Sequence, residues 1–198
     1  MKTTPTPNST GMPLISTRNR ITNFLFSPHP SVTGIVDSRK ARLGIVLAFV
    51  MTCTNGISLI FVARSGMNVT LAIQITVTLF AFLSYLLGRT PRFSWGGGLL
   101  VAVLSLSGFA NVLSGSDRPT DALYVTIPVA LVIGSVLLPA RGNIVQFIAN
   151  LIGIALLPLA ATFFTYEMVG LAYSVIMSVG ALLIVAQIFR DNVEQTRV

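Results

Sequence analysis

Three primary amides, Asn143, Gln146 and Asn150, stand at spacings of three and four in an otherwise largely apolar stretch. That spacing lines them along one face of a helix. An amide carries two N–H donors and a carbonyl acceptor, and in hydrocarbon these groups must be met by other protein groups or by a ligand. The face is therefore expected to point into a helix bundle. There it serves as interhelical glue, worth about 0.6–2 kcal/mol per contact, or as one wall of a polar pocket open toward the end marked by Arg141. Asn55, Gln74 and Asn111 are the other amides that cannot comfortably satisfy themselves. The candidate polar pocket is thus Asn55, Gln74, Asn111, Asn143, Gln146 and Asn150. Gln74 and Asn111 are expected toward the outer half, near Tyr166, Glu167 and Tyr173, where a ligand from outside would enter. Thr52, Thr54, Thr76, Thr78, Ser105 and Ser107 are weaker signals, because a hydroxyl can bond back to its own helix.

Nothing else in the chain assembles a catalytic set. The single histidine, His29, sits in Ser27-Pro28-His29-Pro30 with no second ligand beside it. The single cysteine, Cys53, lies within an apolar run and reads as a small packing residue. There is no CxxC, no HExxH, no phosphate-cradling glycine loop and no carboxylate pair. Trp95-Gly96-Gly97-Gly98 opens a helix instead of following a strand. Its tryptophan suits an interfacial belt, and its glycines allow helices to approach closely. No metal, no cofactor and no enzymatic activity are expected.

The solvent for most of this chain is not water. Apolar residues make up 53% and charged ones only 10%, against about 25% charged in soluble domains, and the mean hydropathy is +0.81. A core of this size could not hide so much apolar surface from water. The pI near 10.5 would suggest nucleic acid in a soluble protein. Here the basic residues sit at the ends of apolar runs, where membrane topology places them, and no nucleic-acid partner is expected. The first twenty residues lack the continuous apolar core of a secretory signal, so no cleaved leader is expected.

Six apolar runs follow the cluster Arg39-Lys40-Ala41-Arg42, at about 43–63, 69–88, 95–114, 122–140, 143–165 and 168–189. Each matches the roughly 20 residues that cross a hydrocarbon core of about 30 Å. The connections are short, so successive helices are antiparallel neighbours. The very tight turns at Pro139-Ala140-Arg141-Gly142 and Tyr166-Glu167 leave a re-entrant pair as the alternative there. With the N-terminus inside, eleven of the 13 Lys and Arg fall on the cytoplasmic side, and only Arg64 and Arg118 fall outside. The expected fold is an all-α polytopic membrane protein with six transmembrane helices and both termini cytoplasmic, in a bacterial cytoplasmic membrane. Residues 1–38 read as a flexible cytoplasmic tail, in which Ile21 to Phe26 could dip into the bilayer interface beside Arg18 and Arg20. Residues 39–189 form the bundle, and 190–198 a charged extension of helix 6. No Lys, Arg, Asp or Glu falls in the middle of a span, which argues against proton- or ion-driven carriers. No match between helices 1–3 and 4–6 suggests a duplicated transporter. Pro158, well inside the fifth run, is expected to kink it.

The final helix carries Val179, Leu182, Ala186, Phe189, Val193 and Thr196 at spacings alternating three and four. Ala186, Phe189, Val193 and Thr196 continue this a/d seam past the apolar stretch, where it is placed to pass motion to a dimer mate or another membrane protein. With Ser38-Arg39-Lys40-Ala41-Arg42-Leu43 leading into helix 1, Leu86-Leu87-Gly88-Arg89-Thr90 closing helix 2, Tyr124-Val125-Thr126-Ile127-Pro128 opening helix 4, Leu137-Leu138-Pro139-Ala140-Arg141 before helix 5 and the charged exit after helix 6, residues 38–198 resemble the N-terminal membrane region of bacterial sensor histidine kinases and signalling cyclases. The resemblance implies a six-helix sensor region. The phosphoacceptor histidine and ATP site of such proteins are not in this sequence. In size and helix count the chain also resembles the substrate-binding components of energy-coupling-factor vitamin importers. The expected function is a non-enzymatic membrane sensor-like or interaction module relaying helix movement through its last helix. The alternatives are a small-solute binding subunit of an uptake system and an accessory subunit of a larger membrane complex. The bilayer is the expected environment, and a small-molecule ligand is allowed.

Overall fold

A computed structural model describes residues 24–65, 68–113, 119–160 and 166–195. Lys2, Arg18, Arg20, Ile21-Thr22-Asn23, Asp117, Arg118, Thr196 and Arg197 lie outside the described residues. Among the described residues the chain is all-helical: α1 (Ile35–Ser65), α2 (Asn68–Gly88), α3 (Phe93–Leu113), α4 (Pro119–Leu137), α5 (Ala140–Ala160) and α6 (Tyr166–Gln195). Five of these are long and apolar enough to cross a membrane, while α4 contributes the shorter apolar run Leu123–Leu137. Outward-facing side chains such as Phe61, Leu79, Val125, Leu159, Leu182 and Phe189 are mostly exposed, as expected where hydrocarbon replaces water around a bundle.

Several helix ends differ from the sequence expectation. Helix α1 starts at Ile35, well before position 43, and carries the basic cluster within its first turns. Long basic side chains keep their heads in water while their stems lie on the helix, so charge does not end it. At the other boundary, α4 stops at Leu137 and α5 begins at Ala140. Arg141 and Gly142 thus belong to the first turn of α5. Pro139 lacks an N–H for α4 to use, and its carbonyl accepts from Asn143 N at 3.0 Å to start the next helix. Tyr166 and Glu167 likewise open α6 instead of forming a turn. Pro158 lies inside α5, as expected, and the described part of that helix runs to Ala160.

The helices alternate in direction, and close contacts collect the start of α1, the end of α2, the start of α3 and the end of α4 at one end of the bundle. Leu137 lies against both Gly44 and Gly97, and Ile45 packs on Gly88. Ser84 Oγ donates to Gly96 O at 2.6 Å. A methyl group on Gly96 would stand 2.7 Å from Gly88 N and 2.9 Å from Ser84 O. Here the expected close approach occurs, with small residues letting two backbones nearly touch. Around it Ile45, Ala48, Tyr85, Leu100 and Leu137 form one buried cluster. A second, built from Val112, Leu123, Ile127, Leu131, Ile154, Leu157, Ala172 and Ile176, joins α3 to α6.

The segment before α1 is also held. Phe24–Phe26 forms a single helical turn, and Arg89 Nη2 donates to Phe24 O at 2.9 Å. The same guanidinium lies over the Phe24 and Tyr85 rings, at 5.3 and 5.8 Å. Tyr85 OH donates to Leu25 O at 3.2 Å, and Phe26 meets Phe49 edge-on at 5.4 Å. This part of the expected tail is clasped onto α1 and α2, because one arginine lies over two rings and satisfies a free carbonyl.

Candidate functional site

Helix α5 presents Asn143, Gln146 and Asn150 inward, as their spacing predicts, with Asn143 and Asn150 buried at 1% and 2% exposure. Asn143 Nδ2 donates to Gln187 Oε1 of α6 at 2.9 Å. Gln187 Nε2 in turn donates to Leu138 O, in the α4–α5 connection, at 2.9 Å. The carbonyl at Leu138 can only accept, and that fixes both amides: Gln187 must turn its oxygen to Asn143, and Asn143 must turn its own oxygen away. Asn143 Oδ1 consequently has no partner among the described residues.

Gln146 stands between this pair and α3. Its Nε2 donates to Ser105 Oγ at 3.4 Å, while its Oε1, also without a described partner, faces the bare Cα of Gly134 on α4. A methyl group there would come within 2.9 Å of Asn143 Oδ1 and closer still to Gln146 Oε1. Two unpaired acceptors thus share one small space that only glycine leaves open. A half-turn of the Gln146 amide would bring its NH2 to the Asn143 side and offer its oxygen to the Ser105 hydroxyl, which donates as readily as it accepts. Leaving a buried acceptor unpaired costs about 1–3 kcal/mol, so this turn has a driving force.

On its other side Gln146 lines a groove of about 460 Å³ between α3 and α5. Val101, Ser105, Gln146 and Asn150 line it, with Phe109 further along α3 and Leu138 and Gly142 near the α4–α5 connection. Leu106 and Val145 also line it and are 64% and 67% exposed, so it opens sideways toward the surrounding medium. Phe109 lies against Gly153, holding α3 and α5 together beyond the groove. Among the described residues no charged one lines it. Asn150 Nδ2 has no partner among the described residues.

The remaining candidates lie elsewhere. Gln74 Nε2 donates to Asn55 Oδ1 at 2.9 Å and to Asn55 O at 3.2 Å, and Asn55 Nδ2 donates to Met51 O at 2.8 Å. This is a self-contained α1–α2 clamp. Asn111 is exposed on α3. The six amides therefore divide into an α1–α2 pair, Asn111 on α3 and the α5 face. On α6, Ala186 and Phe189 point outward, and Val193 is partly buried. Gln187 was missed in the sequence because it falls between two seam positions. As the one amide in the apolar part of the last helix, it carried the same signal as Asn143. Among the described residues no group of His, Cys, Asp or Glu could hold a metal ion.

No family model matches the chain, and neither curated proteins nor solved structures give a match.

Proposed function

We propose that this chain is a six-span membrane protein with both termini cytoplasmic, acting as a non-enzymatic sensor-like module whose last helix reports on the α3–α5 groove. Six spans are supported by the length of α4, 19 residues or about 28 Å at 1.5 Å per residue. The sidedness is supported by Arg39, Lys40, Arg42, Arg89, Arg92, Arg141 and Arg190, which fall at helix ends assigned to the inner side. The observation that carries the relay is Gln187, whose two bonds tie α6 to α5 and to the α4–α5 connection. Gln146, one turn along α5, touches both the groove and the space before Asn143. A change in the groove that turns Gln146 alters what Asn143 offers Gln187, and α6 responds as a rod. Its exposed Phe189 lies near the end that would meet a second copy or a partner helix.

The test uses a Cys53→Ser background with spin labels at Arg141 and Phe189, both exposed. Gln187→Leu is expected to shift or broaden the α5–α6 distance distribution. Ser178→Ala, which removes only a bond to its own helix at Ser174 O, is expected to leave it alone. Identical distributions in all three proteins would overturn the relay. Cysteine crosslinking from position 189 in native membranes is expected to trap a dimer or partner adduct, and absence of any adduct would overturn the interaction reading.

A further inference from the structure

We propose that the α3–α5 groove binds a neutral, carbonyl-bearing molecule that dissolves in the hydrocarbon core, its carbonyl oxygen accepting from Asn150 Nδ2. The inference rests on the sensor reading above and names the class of molecule sensed. Asn150 is 2% exposed and its Nδ2 is unpartnered among the described residues. Asn150 lines the groove, and its donor is itself enclosed, so a rotation of the side chain is what brings Nδ2 to an acceptor entering from the groove. The cavity, about 460 Å³, falls in the roughly 300–1,000 Å³ range of small-ligand sites.

Charge and depth narrow the class. Among the described residues the lining carries no charged side chain, so an ionised carboxylate or phosphate would enter without a counter-ion, at a cost of several kcal/mol. Asn150 lies ten residues into α5, or about 15 Å along it, near the middle of a core about 30 Å thick. Glycerolipid ester carbonyls belong to the polar boundary of that core and would have to be drawn to its centre. A compound that partitions entirely into hydrocarbon, such as a benzoquinone with an alkyl tail, reaches this depth without that penalty. The opening past Leu106 and Val145 gives it lateral entry, and Ser105 and Gln146 offer hydrogen bonds to a second oxygen.

The test places the full chain in phosphatidylcholine nanodiscs and titrates decyl-benzoquinone labelled with 13C at its carbonyls. Infrared difference spectra are expected to show a protein-bound carbonyl band lowered by hydrogen bonding. Asn150→Leu, which keeps the bulk and removes the donor, should abolish that band and weaken binding at least tenfold. Leu106→Trp, at an exposed position, should block entry with Asn150 intact. A wild-type protein with no shifted band, or variants that both retain it, would overturn the proposal. So would native mass spectrometry showing a glycerophospholipid held in the groove and lost in Asn150→Leu. Gln187→Leu should keep the band while losing the spin-label response. In the wild-type protein, a shifted band with no change in the Arg141–Phe189 label distance on adding the quinone would sink the relay and leave the ligand class standing. A distance change with no shifted band would sink the ligand class and leave the relay standing.

Discussion

Gln187 and Asn143 hold each other at 2.9 Å across the α5–α6 contact, both almost fully enclosed. The bond has a direction, because Leu138 O accepts the other end of Gln187. A single acceptor carbonyl therefore orients two side chains on two helices and leaves a third, Gln146, to complete the chain.

Replacing either partner alone by leucine strands the other amide, whereas replacing both leaves an apolar contact. Asn143→Leu and Gln187→Leu should each destabilise the bundle, and the double variant should lose less than their sum. A coupling of about 0.6–2 kcal/mol is expected. Reversible unfolding in mixed micelles measures it, and strict additivity would rule the pairing out.

Gly96 and Gly56 make a contrasting pair. A methyl on Gly96 meets the α2 backbone at 2.7 Å, whereas one on Gly56 meets nothing within 4 Å. Gly96→Ala should therefore destabilise by about 1–3 kcal/mol through forced backbone movement. Gly56→Ala should be neutral or stabilise by up to about 1 kcal/mol. Thermal melts of the two purified variants decide this, and equal melting points would contradict the close approach.

The helical runs were legible because helices long and apolar enough to cross a membrane declare themselves by length and composition. Their ends were less so: Arg39 to Arg42 look like a boundary but sit on a continuing helix, and Arg141 looks like a turn residue but opens α5. The Asn143, Gln146 and Asn150 face was legible from period alone. Which amides meet was not, since Gln187 and Ser105 come from helices whose neighbours the sequence does not specify. Arg89 read as a topology marker, and the ring stack of Phe24 and Tyr85 around it depends on a chain reversal invisible to local pattern.

Trp95 is 72% exposed at the start of α3, where an interfacial ring is expected. It is the only tryptophan, so its fluorescence reports one depth. Lipids brominated near the headgroup should quench it more strongly than lipids brominated near the chain ends. The reverse order would place this end of α3 in the bilayer centre and dismantle the topology.

Arg89→Lys keeps the positive charge but loses the flat guanidinium that spans Phe24 O and the two rings. Hydrogen exchange at Phe24–Phe26 should quicken in Arg89→Lys and in Arg89→Gln alike. Slow exchange in the lysine variant would mean that charge alone holds the segment.

The arginine clasp also sets an order of events during synthesis. Phe24 and Arg89 are 65 positions apart, which at about 5–20 residues per second separates their emergence by roughly 3–13 s. Throughout that interval the leading segment can meet only α1, through Phe26 on Phe49. Its capture by Tyr85 and Arg89 therefore timestamps completion of the first helical hairpin.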